Sequence, residues 1–242
     1  MDRRVITPES CREFPADPKA AWKLDVIRAK FIVKKNFNTK AGSKRLGVMW
    51  LVLDPLLTTS IYLFVFMTIK YRPDVVSFFI GLTMMRGLQS SLMSGVKTAI
   101  DFKGGMKIER IRTRALVLSE IFLILNNTAF MSLGVVILGY FFFGVSAFGI
   151  FLFLIAMLIN SIAWYGIGRM LTPLVRKIPD IMPLISYFTL LMFFTSPCLY
   201  TLGETSGMHR TINLHNPYSF TVEFARKWAA GSTDFELLDP II

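Results

Sequence analysis

Apolar runs of membrane-crossing length, set apart by short blocks of cations, make up the pattern of this chain. Leu46–Ile69, LGVMWLVLDPLLTTSIYLFVFMTI, runs for 24 residues with Asp54 as its sole formal charge. At ~1.5 Å of helical rise per residue it crosses a ~30 Å hydrocarbon layer. After a short turn carrying Lys70, Arg72 and Pro73, a second run fills 75–96. Residues 115–168 are about twice the length of one span, with Glu120 their only charge, so they predict two spans, 115–142 and 147–168. The turn between them is expected near Phe143–Gly149, where two glycines and Ser146 interrupt the run. A fifth run, 181–200, contains Pro183 and ends in SPCLY. The fold class expected is all-α, a polytopic membrane helix bundle.

The stretches between the runs have their own character. Residues 1–21 are polar, with Pro8, Pro15 and Pro18, and read as a mobile cytoplasmic arm. In the following segment, 22–45, Trp22, Val26, Ala29, Val33 and Phe37 fall along one helical stripe flanked by lysines. This predicts an amphipathic helix lying in the membrane interface, with a helix packed on protein as the alternative. The 97–114 stretch is broken at Gly104-Gly105 and rich in cations, and a second basic stretch follows at Arg169, Arg176 and Lys177. Thr201–Gly231 is too polar to span yet keeps Met208, Ile212, Leu214, Phe220, Phe224 and Trp228. It predicts short amphipathic helices at the outer interface, broken at Pro217. The tail, 232–242, carries Asp234, Glu236 and Asp239 and is too short to cross.

Charge sets the orientation. Cations gather in the N-terminal arm, 97–114 and 169–177, so these face the cytoplasm and the N-terminus is cytoplasmic. Five spans from that start leave the C-terminus outside. Composition agrees with a membrane protein: 53% hydrophobic residues, 22 Phe and a mean hydropathy of +0.53. The net charge of +11 sits in blocks between apolar runs, a topology signal and not a nucleic-acid surface.

The search for chemistry is mostly negative. There is no GxxxxGK[ST] loop and no HExxH, Cys11 and Cys198 form no metal or disulfide framework, and His209 and His215 share one polar segment. We expect no catalytic residue, no metal site and no cofactor bound by this chain. The intramembrane polar residues carry more weight, because a charge at the bilayer centre costs ~2.5–3.5 kcal/mol even on the lenient insertion scale. Asp54 precedes Pro55 and either caps freed backbone groups or faces a polar path. Glu120 is expected to pair with Arg112 or Arg114. Arg86 stands halfway along its span, with an acid, a lipid phosphate or a channel as its open alternatives.

Several motifs carry a resemblance. A basic lead before LGVMWLVLDPLL and IYLFVF, FFIGL at Phe78–Leu82, RAL..SE at Arg114–Glu120, Pro179-Asp180, SPxxY at Ser196–Tyr200, and Asn216-Pro217 followed by Arg226 occur in this order. Together they resemble the membrane subunit of ABC-2-type exporters, in particular the polysaccharide exporters of O-antigen, capsule and teichoic-acid type. The resemblance implies a half-transporter of six spans in the cytoplasmic (inner) membrane, so this chain is expected to stop one span short. It further implies a homodimer bound to two copies of a separate ABC ATPase, which holds the ATP and Mg. A coupling helix would dock on that ATPase through Asp101, Lys107, Glu109, Arg110 and Arg112, and the interfacial helix through Trp22, Val26, Val33 and Phe37. Gate helices would carry His209, Asn216, Pro217 and Arg226. The implied substrate is a lipid-linked polysaccharide. A polar polymer needs a wet path with aromatic faces for its sugar rings, which makes Trp50, Phe64, Phe66, Phe193, Phe194 and Tyr200, with Asp54 and Arg86, the channel candidates. The alternatives are an ABC-2 exporter of drugs or small lipids, and a membrane scaffold or integral enzyme without an ATPase.

Overall fold

The computed structural model describes residues 17–42, 49–69, 75–101 and 113–231. Those residues form eight α-helices and no strand: α1 (Pro18–Gly42), α2 (Trp50–Ile69), α3 (Val75–Asp101), α4 (Thr113–Phe143), α5 (Ala147–Lys177), α6 (Ile181–Thr195), α7 (Gly207–His215) and α8 (Pro217–Ala229), with a 3-10 turn at Leu202–Glu204. The all-α bundle is as expected. The arm up to residue 16, the lead-in 43–48, the loop 102–112 and the tail 232–242, and with the tail the question of a sixth span, lie outside the described residues.

α3, α4 and α5 are long and apolar enough to cross a membrane. α2, at 20 residues, measures ~30 Å. The turn between α4 and α5 falls at 144–146, inside the expected Phe143–Gly149 window. Gly144 turns the chain at φ +67°, a conformation a Cβ disfavours, and Ser146 then caps α5 by accepting the Gly149 N–H at 3.0 Å. α4 and α5 have 31 residues each, ~46 Å, which is longer than the hydrocarbon layer. α5 therefore continues past 168, and Arg169, Arg176 and Lys177 belong to its last turns, not to a loop. Cations there suit the negative end of the helix dipole. α3 likewise runs on to Asp101, beyond the expected end at 96.

α6 has 15 residues, ~22 Å, and stops short of the 181–200 span expected. The cause is Pro197. Its ring pushes the preceding residue out of the helical region, and Ser196 is extended at φ −107°, ψ 152°.

α3 is the core. Phe78, Ile80, Met84, Leu88, Leu92 and Val96 are all buried, and α5 runs parallel to it. The register is set by Asn160 Nδ2 donating to the Met84 carbonyl at 3.0 Å and by Thr172 Oγ1 donating to the Gly95 carbonyl at 3.2 Å. In lipid, association depends on packing and interhelical hydrogen bonds more than on hydrophobic drive, so small residues mark the contacts. Gly168 finds its neighbour in α3, whereas a Cβ on Gly166 would meet nothing within 4 Å.

α8 antiparallels α5. Tyr218 stands edge-on to Trp164, seventeen residues into α5, with ring centroids 5.8 Å apart, and Ala229 at the far end of α8 meets Gly149 at the start of α5. The expected helices broken at Pro217 are present. α8, however, runs down the flank of the bundle and does not lie flat across its end, because Tyr218, Val222, Ala225 and Ala229 form an apolar face that α3 and α5 bury. α6 and α8 together cover the depth of one crossing.

α1 packs on α4. Its buried line is Ala21, Asp25 and Ala29, which shares only Ala29 with the Trp22 stripe. Trp22 is 54% exposed, Val26 and Val33 are half-buried, and Ile27 and Phe31, off the stripe, are exposed. Phe37 lies in α1, with its side chain outside the described residues. Apolar residues thus surround α1 instead of forming one face, and the alanines are the side that lets α4 approach. α1 packs on protein along its alanine side.

Candidate functional site

Two groupings of polar side chains stand out in an otherwise apolar bundle. The first joins α2 to α3. Arg86 Nη1 donates to Asp54 Oδ2 at 3.0 Å, with side-chain exposures of 26% and 68%. Arg86 is eleven residues into α3, ~16 Å from its N-terminal end. That depth is near the middle of a hydrocarbon layer, where each charge alone is expensive and a partner lowers the cost. Two residues after Asp54, Leu56 seats on Gly134 of α4, which holds α2 at this height. One turn along α3, Gln89 Nε2 donates to Thr189 Oγ1 of α6 at 3.4 Å. Two turns along α2, Tyr62 packs against Phe193 of α6 with ring centroids 5.8 Å apart, and Phe193 meets Phe194 at 5.1 Å.

The second grouping draws together the segments 196–200, 207–216 and 217–229. Asn216 Oδ1 accepts the Tyr218 N–H at 3.0 Å, capping α8, while its Nδ2 donates to Ser196 Oγ at 2.8 Å. One side chain therefore starts α8 and ties it to the end of α6. The Tyr200 hydroxyl meets Asn213, whose Nδ2 donates to it at 3.1 Å, and His209 Nε2 at 2.9 Å. Arg226, buried, pairs with Glu223 through Nη1 at 2.7 Å and donates from Nε to the Ser77 carbonyl of α3 at 3.2 Å. Glu223 Oε1 also accepts the Leu202 N–H at 3.1 Å. At Gly81 a Cβ would strike the Cys198 carbonyl, so the SPCLY turn sits directly on α3. Asn216 is thus bonded to the Ser196–Tyr200 motif, while Arg226 anchors α8 to α3.

The remaining sequence candidates are scattered. Phe64 and Phe194 are exposed, Phe193 is buried, and Trp50 and Tyr200 are half-buried. Phe66 lies in α2 and Pro217 opens α8, both with side chains outside the described residues. Asp101 closes α3, while Lys107, Glu109, Arg110 and Arg112 lie outside the described residues. Glu120 accepts a hydrogen bond from the Tyr165 hydroxyl at 2.8 Å, a partner on α5 that its sequence neighbours Arg112 and Arg114 did not suggest. Glu223 and Asn213 were not singled out by sequence. Only Glu223 left a signal, its i, i+3 spacing to Arg226. Among the described residues no three His, Cys, Asp or Glu gather as for a metal.

A bundle of long apolar helices with a packed, polar-stitched segment at its end fits a transport subunit, and comparison decides the family. The ABC-2 type transporter family model matches residues 28–228, most of the chain. The chain belongs to the ABC-2 type transporter family. No curated protein matches it. As an ABC-2 member it is a multi-pass membrane protein and a transport subunit of a class that works with an ABC ATPase partner. The matched region begins within α1 and ends within α8, so it takes in both polar groupings.

Proposed function

We propose that this ABC-2 transporter subunit moves a lipid-linked cell-surface polysaccharide across the cytoplasmic membrane, working as a homodimer with two copies of a separate ABC ATPase. The observation that carries the reading is the segment in which Asn216 holds Ser196 and Arg226 anchors α8 to α3. These residues belong to the motifs in which the chain resembles polysaccharide exporters, and they fold into one gate-like segment. With the N-terminus cytoplasmic, that segment faces the outer side and the 97–114 loop faces the ATPase, which supplies ATP hydrolysis. Aromatic side chains on α2 and α6, Tyr62 and Phe194 among them, offer exposed faces for sugar rings.

The test is deletion of the gene with its ATPase intact, followed by detection of surface glycan on blots of whole cells. Loss of long-chain glycan from the surface, with the lipid-linked polymer accumulating inside and the wild-type gene restoring export, is the expected result. Unchanged surface glycan together with increased sensitivity to drugs would replace this reading with drug or small-lipid export.

A further inference from the structure

Asp54 and Arg86 form an ion pair that is open on one side. Asp54 engages Nη1 of Arg86 at 3.0 Å, yet 68% of its side-chain surface is uncovered, and Arg86 itself is 26% exposed. A pair meant only to lock α2 to α3 would be enclosed by both helices. A carboxylate that open within an apolar helix is not stable against hydrocarbon, so the face of α2 that carries it adjoins water or polypeptide.

Resting on the reading that the subunit lines a transport path, we propose that Arg86 is an exchangeable anion site on that path. Asp54 occupies the guanidinium at rest, and a phosphate or diphosphate group carried by the substrate displaces it in passage. A guanidinium offers five donors in a planar fork that matches phosphate oxygens two at a time. Asp54 takes one nitrogen, and its open side gives an incoming oxyanion access without any helix having to part. The pair keeps the empty path neutral, and exchange of one anion for another keeps Arg86 paired throughout. Arg86 lies ~16 Å from the N-terminal end of α3 and its partner Asp54 four residues from the start of α2, so the pair stands on the route that a diphosphate on a lipid-linked substrate would take on entering from the start of α2. Tyr62, two turns along α2 from Asp54 and 39% exposed, is placed to stack on the first sugar that follows.

The experiment uses the full complex with its ATPase in proteoliposomes and reads stimulation of ATP hydrolysis by farnesyl diphosphate, with farnesol as the neutral control. Arg86→Gln is expected to raise the half-stimulating concentration of farnesyl diphosphate at least ~10-fold, and Arg86→Lys, which keeps the charge but loses the fork, ~3-fold. Asp54→Asn, by freeing the guanidinium, is expected to lower it several-fold. Farnesol should show no dependence on either residue. In parallel, calorimetry of inorganic diphosphate on the solubilised complex reads the site without the lipid. Dependence on Arg86 there as well assigns the recognition to the anion itself. A wild-type complex that ignores farnesyl diphosphate counts against polysaccharide export, and calorimetry still decides the site. A wild-type complex that responds, with all three variants superimposed on it, overturns the anion site. So does an Asp54→Cys disulfide between the two subunits, which would show this face covered by the second copy.

Discussion

Gly95 of α3 and Gly168 of α5 occupy one crossing at which the two parallel helices touch backbone to backbone. A Cβ on Gly168 would strike the Leu92 carbonyl and lie 3.1 Å from the Gly95 Cα. Gly166, two residues away, has open space around it. Gly168→Ala is therefore expected to cost about 1–3 kcal/mol through overpacking, while Gly166→Ala is expected to be neutral or slightly stabilising, since alanine is the better helix former. Thermal unfolding of the two variants in detergent, followed by size-exclusion of the surviving fold, checks the contrast. Equal loss in both would show that the crossing is not tight.

The Arg226–Glu223 pair makes the second prediction. Both side chains are largely buried, and Glu223 also holds the Leu202 N–H. Arg226→Leu leaves a buried carboxylate unpaired and is expected to cost about 3–5 kcal/mol, enough to remove most folded protein from the membrane. Arg226→Leu with Glu223→Leu is expected to recover much of it, because no charge is then stranded. Membrane abundance of the single and double variants, compared as a cycle, reads the coupling.

Asn216 caps α8 and holds Ser196 at once. Asn216→Ala is expected to cost about 1–3 kcal/mol, the sum of a lost cap and a lost interhelical bond. The loss should be local. Limited proteolysis is expected to cut within 201–216 in the variant and to spare the α3–α5 core, and identical digestion patterns would refute it.

Coupling to the ATPase is predicted from sequence. Charge reversal at Lys107, Arg110 and Arg112 is expected to abolish export while leaving membrane insertion unchanged, because the loop lies outside the apolar runs. Export and abundance measured on the same triple variant decide it, and normal export would exclude this loop as the contact.

The sequence carried the long helices and their turns because their signals are local. A run of apolar residues states its own length, and Gly144 with Ser146 marks the α4–α5 turn in place. Pro217 announced the break before α8 equally well. The end of α6 was also written locally, in the Pro197 that follows Ser196, but the apolar run through Leu199 masked it. Arg86 and Asp54 were each noticed as costly, yet their pairing depends on the register of α2 against α3, 32 residues apart in the chain, and no periodicity encodes that. The same holds for Ser196 and Asn216. On α1 the large residues drew the eye, whereas the contact with α4 is made where the helix is small, at Ala21 and Ala29.

Dividing one crossing between α6 and α8 places two helix termini inside the bundle, and their dipoles face each other. The C-terminal end of α6, at Thr195, carries about half a negative charge, and the N-terminal end of α8, at Pro217, about half a positive one. Asn216 and Ser196 stand between them, 2.8 Å apart. Opposite partial charges drawn from backbone amides attract without any ionisable group, so this joint has no titration midpoint.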